Sequence, residues 1–82
     1  MLLVSGTEYR NLSPNPSQPG EIGLQTTLNA GTAIFYIRDV DSAGWSSVAT
    51  LTDVPERIYV PDNWFYKVEL TGSATVYGSW VS

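Results

Sequence analysis

The sequence contains no cysteine and no histidine, has a single lysine, and holds no apolar run long enough to span a bilayer. Each absence removes a class of protein. Without cysteine there is no disulfide framework. Without histidine there is no Ser-His-Asp or Cys-His arrangement, and the usual zinc site cannot be built. The basic residues are Lys67, Arg10, Arg38 and Arg57, scattered along the chain against eight acids, for a formal net charge of −4. Neutralising phosphates takes clustered basic side chains, so neither nucleic acid nor an anionic membrane is expected as a partner. Met1-Leu2-Leu3-Val4 is apolar but is followed at once by Ser5-Gly6, too short for a signal core or a membrane span. The chain is expected to be made in the cytoplasm and used without secretion of its own.

Helical patterning is absent too. No window carries apolar residues at i, i+3, i+4 and i+7, and Thr, Ser, Val and Tyr outnumber the strong helix formers. Charge is sparse: 15% of the 82 residues are charged while 43% are hydrophobic. One domain of this size buries a core only marginally and usually needs a disulfide, a metal or association to hold it. The first two lack their residues. Association, with itself or with a larger assembly, is therefore expected, and the low charge fits a surface that becomes covered.

What the chain does have is alternation. In Trp64-Phe65-Tyr66-Lys67-Val68-Glu69-Leu70, residues 64, 66, 68 and 70 fall on one face of a strand while Lys67 and Glu69 fall on the other, where Phe65 is the exception. Residues 2–5 read as a short first strand and residues 7–12 as extended chain. Residues 13–20, Ser-Pro-Asn-Pro-Ser-Gln-Pro-Gly, lose three backbone donors to proline and cannot be an interior strand or a helix. That segment is either a surface connection or part of an arm lying on another subunit; on the second reading residues 1–20 are expected as an extended arm, and residues 21–82 as the folded domain.

In residues 21–28, Ile22, Leu24 and Leu28 share one side with Thr26. Asn29-Ala30-Gly31 tolerates positive φ, so residues 32–40 are expected to return as the second leg of a hairpin. There Ala33, Phe35 and Ile37 oppose Ile34 and Tyr36. After the turn Asp41-Ser42-Ala43-Gly44, residues 45–51 place Trp45, Ala49 and Leu51 on one face and Val48 on the other. Residues 57–60 form a short strand. Beyond Thr71-Gly72-Ser73, residues 74–81 are expected to close a C-terminal hairpin with residues 64–70, setting Tyr77 across from Phe65. Six or seven strands at spacings near ten residues point to a small antiparallel β-sandwich or a partly open barrel.

Chemistry is thin. Two carboxylates suffice for glycoside hydrolysis, but a body this small leaves little room for a cleft, so no enzyme is expected. There is no phosphate-cradling glycine loop. Asp39-Val40-Asp41-Ser42-Ala43-Gly44 starts like a calcium loop and then supplies Ala43 and Thr50 where ligands are required, so it reads as a hairpin turn with solvated acids. No cofactor and no metal is implied. Asn11-Leu12-Ser13 fits the glycosylation pattern by chance. The ten aromatic residues divide between core and interface: Trp64, Tyr66 and Trp45 toward the core, and Tyr36, Phe65, Tyr77 and Trp80 as a candidate self-association face.

With its proline-interrupted N-terminal segment, Ser/Thr/Gly-rich strands and closing run from Tyr66 to Trp80, the chain resembles the small cysteine-free all-β structural proteins of tailed bacteriophages, above all capsid decoration (cement) proteins. The resemblance implies a non-enzymatic virion protein, often trimeric, that sits on the capsid exterior and bridges subunits of the major capsid protein with an extended arm. Tyr9, Arg10, Leu12, Pro14 and Pro16 are the candidate arm contacts. The alternative is a carbohydrate- or receptor-binding module of a head or tail fibre, with exposed Trp or Tyr as stacking platforms.

Overall fold

The computed structural model describes residues 1–12 and 20–81. Among them are eight strands and no helix: β1 (Leu2–Leu3), β2 (Tyr9–Arg10), β3 (Glu21–Thr27), β4 (Ala33–Arg38), β5 (Ser46–Thr50), β6 (Glu56–Tyr59), β7 (Phe65–Leu70) and β8 (Thr75–Val81). They form two antiparallel four-stranded sheets: sheet I in the order β1-β8-β3-β6, sheet II in the order β2-β7-β4-β5. The pairs β1·β8, β2·β7, β3·β6 and β4·β5 are those of one long antiparallel ribbon folded back at the β4–β5 turn. Rolling that ribbon up adds β3·β8 and β4·β7 and yields two sheets. This is the strand order of a jelly roll, a sandwich-like arrangement and not a closed barrel.

Alternation builds the core. Ile22, Leu24 and Thr26 of β3 and Val76 of β8 point inward from sheet I, and Ala33 and Phe35 of β4 with Tyr66 and Val68 of β7 point inward from sheet II; all are buried. Leu3, Leu51 and Val60 complete the cluster. On the inner face of β8, Gly78 leaves space that a Cβ would contest, 3.0 Å from Ile22 Cδ1 and 3.2 Å from Leu3 Cδ1.

Two expected hairpins are not hairpins. Asn29 and Ala30 do adopt positive φ (48° and 65°), and the Gly31 amide donates to the Leu28 carbonyl at 2.8 Å. Yet β3 lies in sheet I and β4 in sheet II. The same holds at the other closing turn, where Gly72 has φ 60° and β7 and β8 belong to different sheets. Both turns carry the chain across the core, so their apolar faces meet head-on instead of lying side by side. The two crossings are tied together, with the Thr32 amide donating to Thr71 Oγ1 at 2.9 Å and the two hydroxyls 2.6 Å apart. Phe65 consequently has no cross-strand partner in Tyr77.

The strand count exceeds the expectation because residues near the start of the chain pair. Leu2 and Leu3 lie opposite Tyr77 and Val76, and Tyr9 and Arg10 opposite Tyr66 and Phe65. Residues 1–12 thus belong to the body of the sandwich and not to an arm; residues 13–19 of the expected arm lie outside the described residues. Asn11 anchors this end. Its amide donates to the Trp64 carbonyl and its carbonyl accepts from Asn63, both at 2.8 Å. Its side-chain amide donates to the carbonyls of Val60 (2.8 Å) and Pro61 (3.3 Å). Buried in this way, Asn11 offers no free amide to a glycan.

Trp45 is on the opposite face from the one expected. The β4·β5 register shifts between Phe35 and Tyr36: Phe35 faces Ala49 while Tyr36 faces Ser47, so Val48 is the extra residue of a bulge. Ala49 and Leu51 keep their inward direction, but before the bulge the parity reverses. Trp45 is sent to the outer face.

Candidate functional site

The outer face of sheet II gathers a cluster that alternation alone dictates. With Tyr66 and Val68 inward, Phe65, Lys67 and Glu69 of β7 must face out. With Phe35 and Ile37 inward, so must Tyr36 and Arg38 of β4. Register then sets Arg10, Phe65 and Arg38 in one row and Lys67 beside Tyr36 in the next. The Arg38 guanidinium lies 4.1 Å from the Phe65 ring centroid and 5.3 Å from that of Trp45. The Lys67 ammonium lies 4.8 Å from Trp45 and 5.3 Å from Tyr36, and Arg10 sits 5.6 Å over Phe65.

Each cation–ring contact of this kind is worth about 0.5–1 kcal/mol at an exposed site. Two carboxylates complete the patch: Glu8 Oε1 is 3.6 Å from Arg38 Nε, and Glu69 Oε1 is 3.0 Å from Lys67 Nζ. The Arg38 and Lys67 side chains are only 18% exposed, although no second sheet covers them. Rings and cation stems cover each other. Three of the four basic side chains and two of the eight acids lie here, leaving Arg57 alone against six acids elsewhere. The face is weakly positive on an acidic body.

The residues expected as one self-association face are divided. Tyr36 and Phe65 belong to this cluster. Tyr77 lies on the outer face of sheet I and is exposed. Trp80 turns to the inner side, its ring edge-on to Tyr66 with centroids 5.5 Å apart. Around Tyr66 the rings of Tyr9 (5.3 Å) and Phe35 (5.9 Å) stack as well. Burial pushes the Tyr66 hydroxyl above its ordinary pKa, and the Tyr9 phenol adds to this, while a hydrogen bond with Trp80 opposes it.

Of the expected arm contacts, Tyr9 is a core-packing residue whose hydroxyl accepts the Val4 amide at 2.9 Å. Arg10 joins the cation–aromatic face and reaches Asn63 Oδ1 at 3.4 Å. Leu12 is exposed. Pro14 and Pro16 lie outside the described residues. Arg38 and Lys67 were not singled out in the sequence, though their parity with Tyr36 and Phe65 carries the signal; Trp45 was hidden by the bulge.

A second surface feature lies on the outer face of sheet I, a groove of about 360 Å³ whose lining includes Gly23, Gln25, Arg57, Tyr77 and Ser79. Among the described residues no group of three or more His, Cys, Asp or Glu side chains could hold a metal ion. Asp39 Oδ1 accepts the Asp41 amide at 3.1 Å and Ser42 Oγ accepts that of Gly44 at 3.2 Å, which is turn chemistry. Compared with known proteins, the chain matches no family model, no curated protein and no solved structure. Its class is read from its own strand order: an eight-stranded, all-antiparallel jelly roll.

Proposed function

We propose that the protein is a non-enzymatic structural component of a bacteriophage particle, a decoration (cement) protein that binds the capsid exterior and bridges capsid subunits as a trimer. The observation that carries this reading is the outer face of sheet II. It presents three aromatic rings and three of the four cations of an otherwise acidic chain, on a sheet face that no other sheet of the described residues covers. Aromatic and arginine side chains are the groups that most often dominate protein interfaces. The sign of the face fits an acidic partner surface, and the scarcity of charge elsewhere fits a chain that spends its life in an assembly. The sandwich-like fold is compatible with this role but does not select it, since one fold serves many functions.

In this reading the capsid-binding residues are Arg10, Tyr36, Arg38, Trp45, Phe65 and Lys67. Leu12 and residues 13–19 form a second contact. A clamp of this type needs no reactive group: it strengthens a shell by burying surface across joints, and three linked copies multiply weak contacts. The test uses empty shells assembled from a major capsid protein encoded in the same genome as this chain. The purified chain is expected to co-sediment with the shells and raise their unfolding temperature, and Arg38→Glu combined with Lys67→Glu is expected to abolish both effects. Shells that pellet without the wild-type chain overturn the proposal. A monomeric mass by light scattering, both free and on the shell, overturns its trimeric part.

A further inference from the structure

The groove on sheet I is built around a glycine that the fold does not require. A Cβ at Gly31 would run into the Thr71 carbonyl oxygen, and one at Gly78 would press on Ile22 and Leu3. Gly23 differs. It sits mid-strand in β3, the central strand between β8 and β6, opposite Ser79 and Arg57. A Cβ there would meet only ordinary contacts, the Ser79 carbonyl oxygen at 3.5 Å and Val81 Cγ2 at 3.7 Å, and its φ lies outside the left-handed region. Glycine inside a strand forfeits β-propensity and packing, and its recurrent use is to let a ligand approach the backbone closely. At Gly23 an uncovered floor is what the residue provides.

The walls carry matching chemistry. Tyr77 stands on β8 with more than half its surface exposed, directly opposite Gln25 and two residues from Ser79, the residue that faces Gly23. Arg57 stands on β6 directly opposite Gly23. Among the described residues Arg57 makes no ion pair, and neither it nor Gln25 makes a side-chain hydrogen bond. Ser79 adds a hydroxyl, and Pro55 is also among the lining residues. The site thus offers one apolar ring, an amide, a guanidinium and a hydroxyl around bare backbone, within a volume at the low end of ligand pockets, which run to about 300–1,000 Å³.

We infer that this groove binds a short neutral saccharide. A pyranose has an apolar C–H face, which packs on the Tyr77 ring, and a rim of hydroxyls, which bond to Gln25, Arg57 and Ser79. A flat sugar ring needs the floor to be bare, and a side chain at Gly23 takes its place. A peptide strand gains little here, because the groove lies over the interior of a sheet whose backbone groups are already paired, not along an open edge. Anionic polymers meet the net charge of −4 carried by the chain. This site is on the face opposite the proposed capsid contact and does not depend on it.

The test titrates cello-, malto-, chito- and manno-oligosaccharides into the isotope-labelled full chain by NMR. Saturable binding of at least one series is expected, with amide shifts centred on Gly23, Gln25, Arg57, Tyr77 and Ser79. Tyr77→Ala is expected to weaken it about tenfold, the scale of one aromatic contact. Gly23→Val, whose Cβ meets only ordinary contacts, is expected to abolish binding without lowering the unfolding midpoint or co-sedimentation with shells. Three results overturn the inference: none of the four series binds, the shifts map elsewhere, or binding survives Gly23→Val. Preferential binding of an acidic polysaccharide control overturns its neutral-ligand part.

Discussion

Replacing Asn11 tests how this sandwich is closed at the end where Asn11, Gly20 and Val60 meet. The Asn11 side chain is buried, and its amide donates to Val60 O at 2.8 Å and to Pro61 O at 3.3 Å. The Val60 amide in turn donates to the Gly20 carbonyl at 2.6 Å, so one residue of the β6–β7 connection holds both Asn11 and Gly20. Asn11→Ala removes the donor to two carbonyls, which costs about 1–3 kcal/mol when a buried partner is left without its bond. For a domain of this size that corresponds to roughly 4–8 °C of melting temperature per kcal/mol. Asn11→Asp sharpens the test. A neutral carboxyl can still donate to Val60 O, whereas a carboxylate turns negative oxygens toward two carbonyl oxygens and is also desolvated. Its pKa in the folded state must therefore lie above the unfolded value of about 3.9. The stability of this variant is then full below about pH 4 and lost as pH rises toward the folded pKa, by about 1.4 kcal/mol per pH unit within that window. Urea unfolding followed by tryptophan fluorescence from pH 3.5 to 8, with comparable m-values, measures both variants. If Asn11→Ala lies within about 0.5 kcal/mol of wild type, as most surface substitutions do, or if Asn11→Asp is not weakened relative to wild type as pH rises, the proposed closure is wrong.

Three further outcomes follow from the core. Tyr66, with its pKa raised by burial, gives stability that is present below about pH 10 and lost as pH rises further, because the unfolded phenol ionises first; alkaline unfolding curves of Tyr66→Phe should lack that component, and curves parallel to wild type would count against it. Phe35→Ala empties the centre of the inner layer and should cost about 3–5 kcal/mol in denaturant unfolding. Gly78→Ala places a methyl against the Ile22 and Leu3 side-chain ends and should cost about 1–3 kcal/mol; a neutral or stabilised variant would show that the space at Gly78 is not required.

Much of this fold was legible because burial has period two in a strand. The alternation in residues 64–70 placed Tyr66 and Val68 inside and Lys67 outside, and Ile22 and Leu24 were read in the same way. What the residues do not encode locally is which legs of a turn bond to each other. Asn29-Ala30 and Gly72 reported correctly that the chain reverses, but a hairpin and a crossing between sheets ask for the same positive φ. Only the demands of the whole core distinguish them, since Phe35 and Val68 need the apolar face of β3 and β8 across from them. Trp45 failed for a different reason. One inserted residue, Val48, inverts the parity of what precedes it, and no feature of Ser46-Ser47-Val48 announces a bulge. The outer cluster was half visible, through Phe65 and Tyr36. Its cations were missed because charged residues outside a sheet are usually just solvated.

The ribbon pairing also sets an order for folding. Only β4·β5 joins neighbours in sequence, by a seven-residue connection; every other hydrogen-bonded pair closes a longer loop. Once that hairpin exists, β3 and β6 are its flanks and can zip together, then β2 with β7, and last β1 with β8. Each step shortens the loop that the next must close. Folding by this route begins in the middle of the chain and runs outward, slowly for the chain's length because most pairings are non-local. Substitutions in residues 33–50 should therefore change the refolding rate, whereas those at Leu3 or Val76 should act mainly on unfolding.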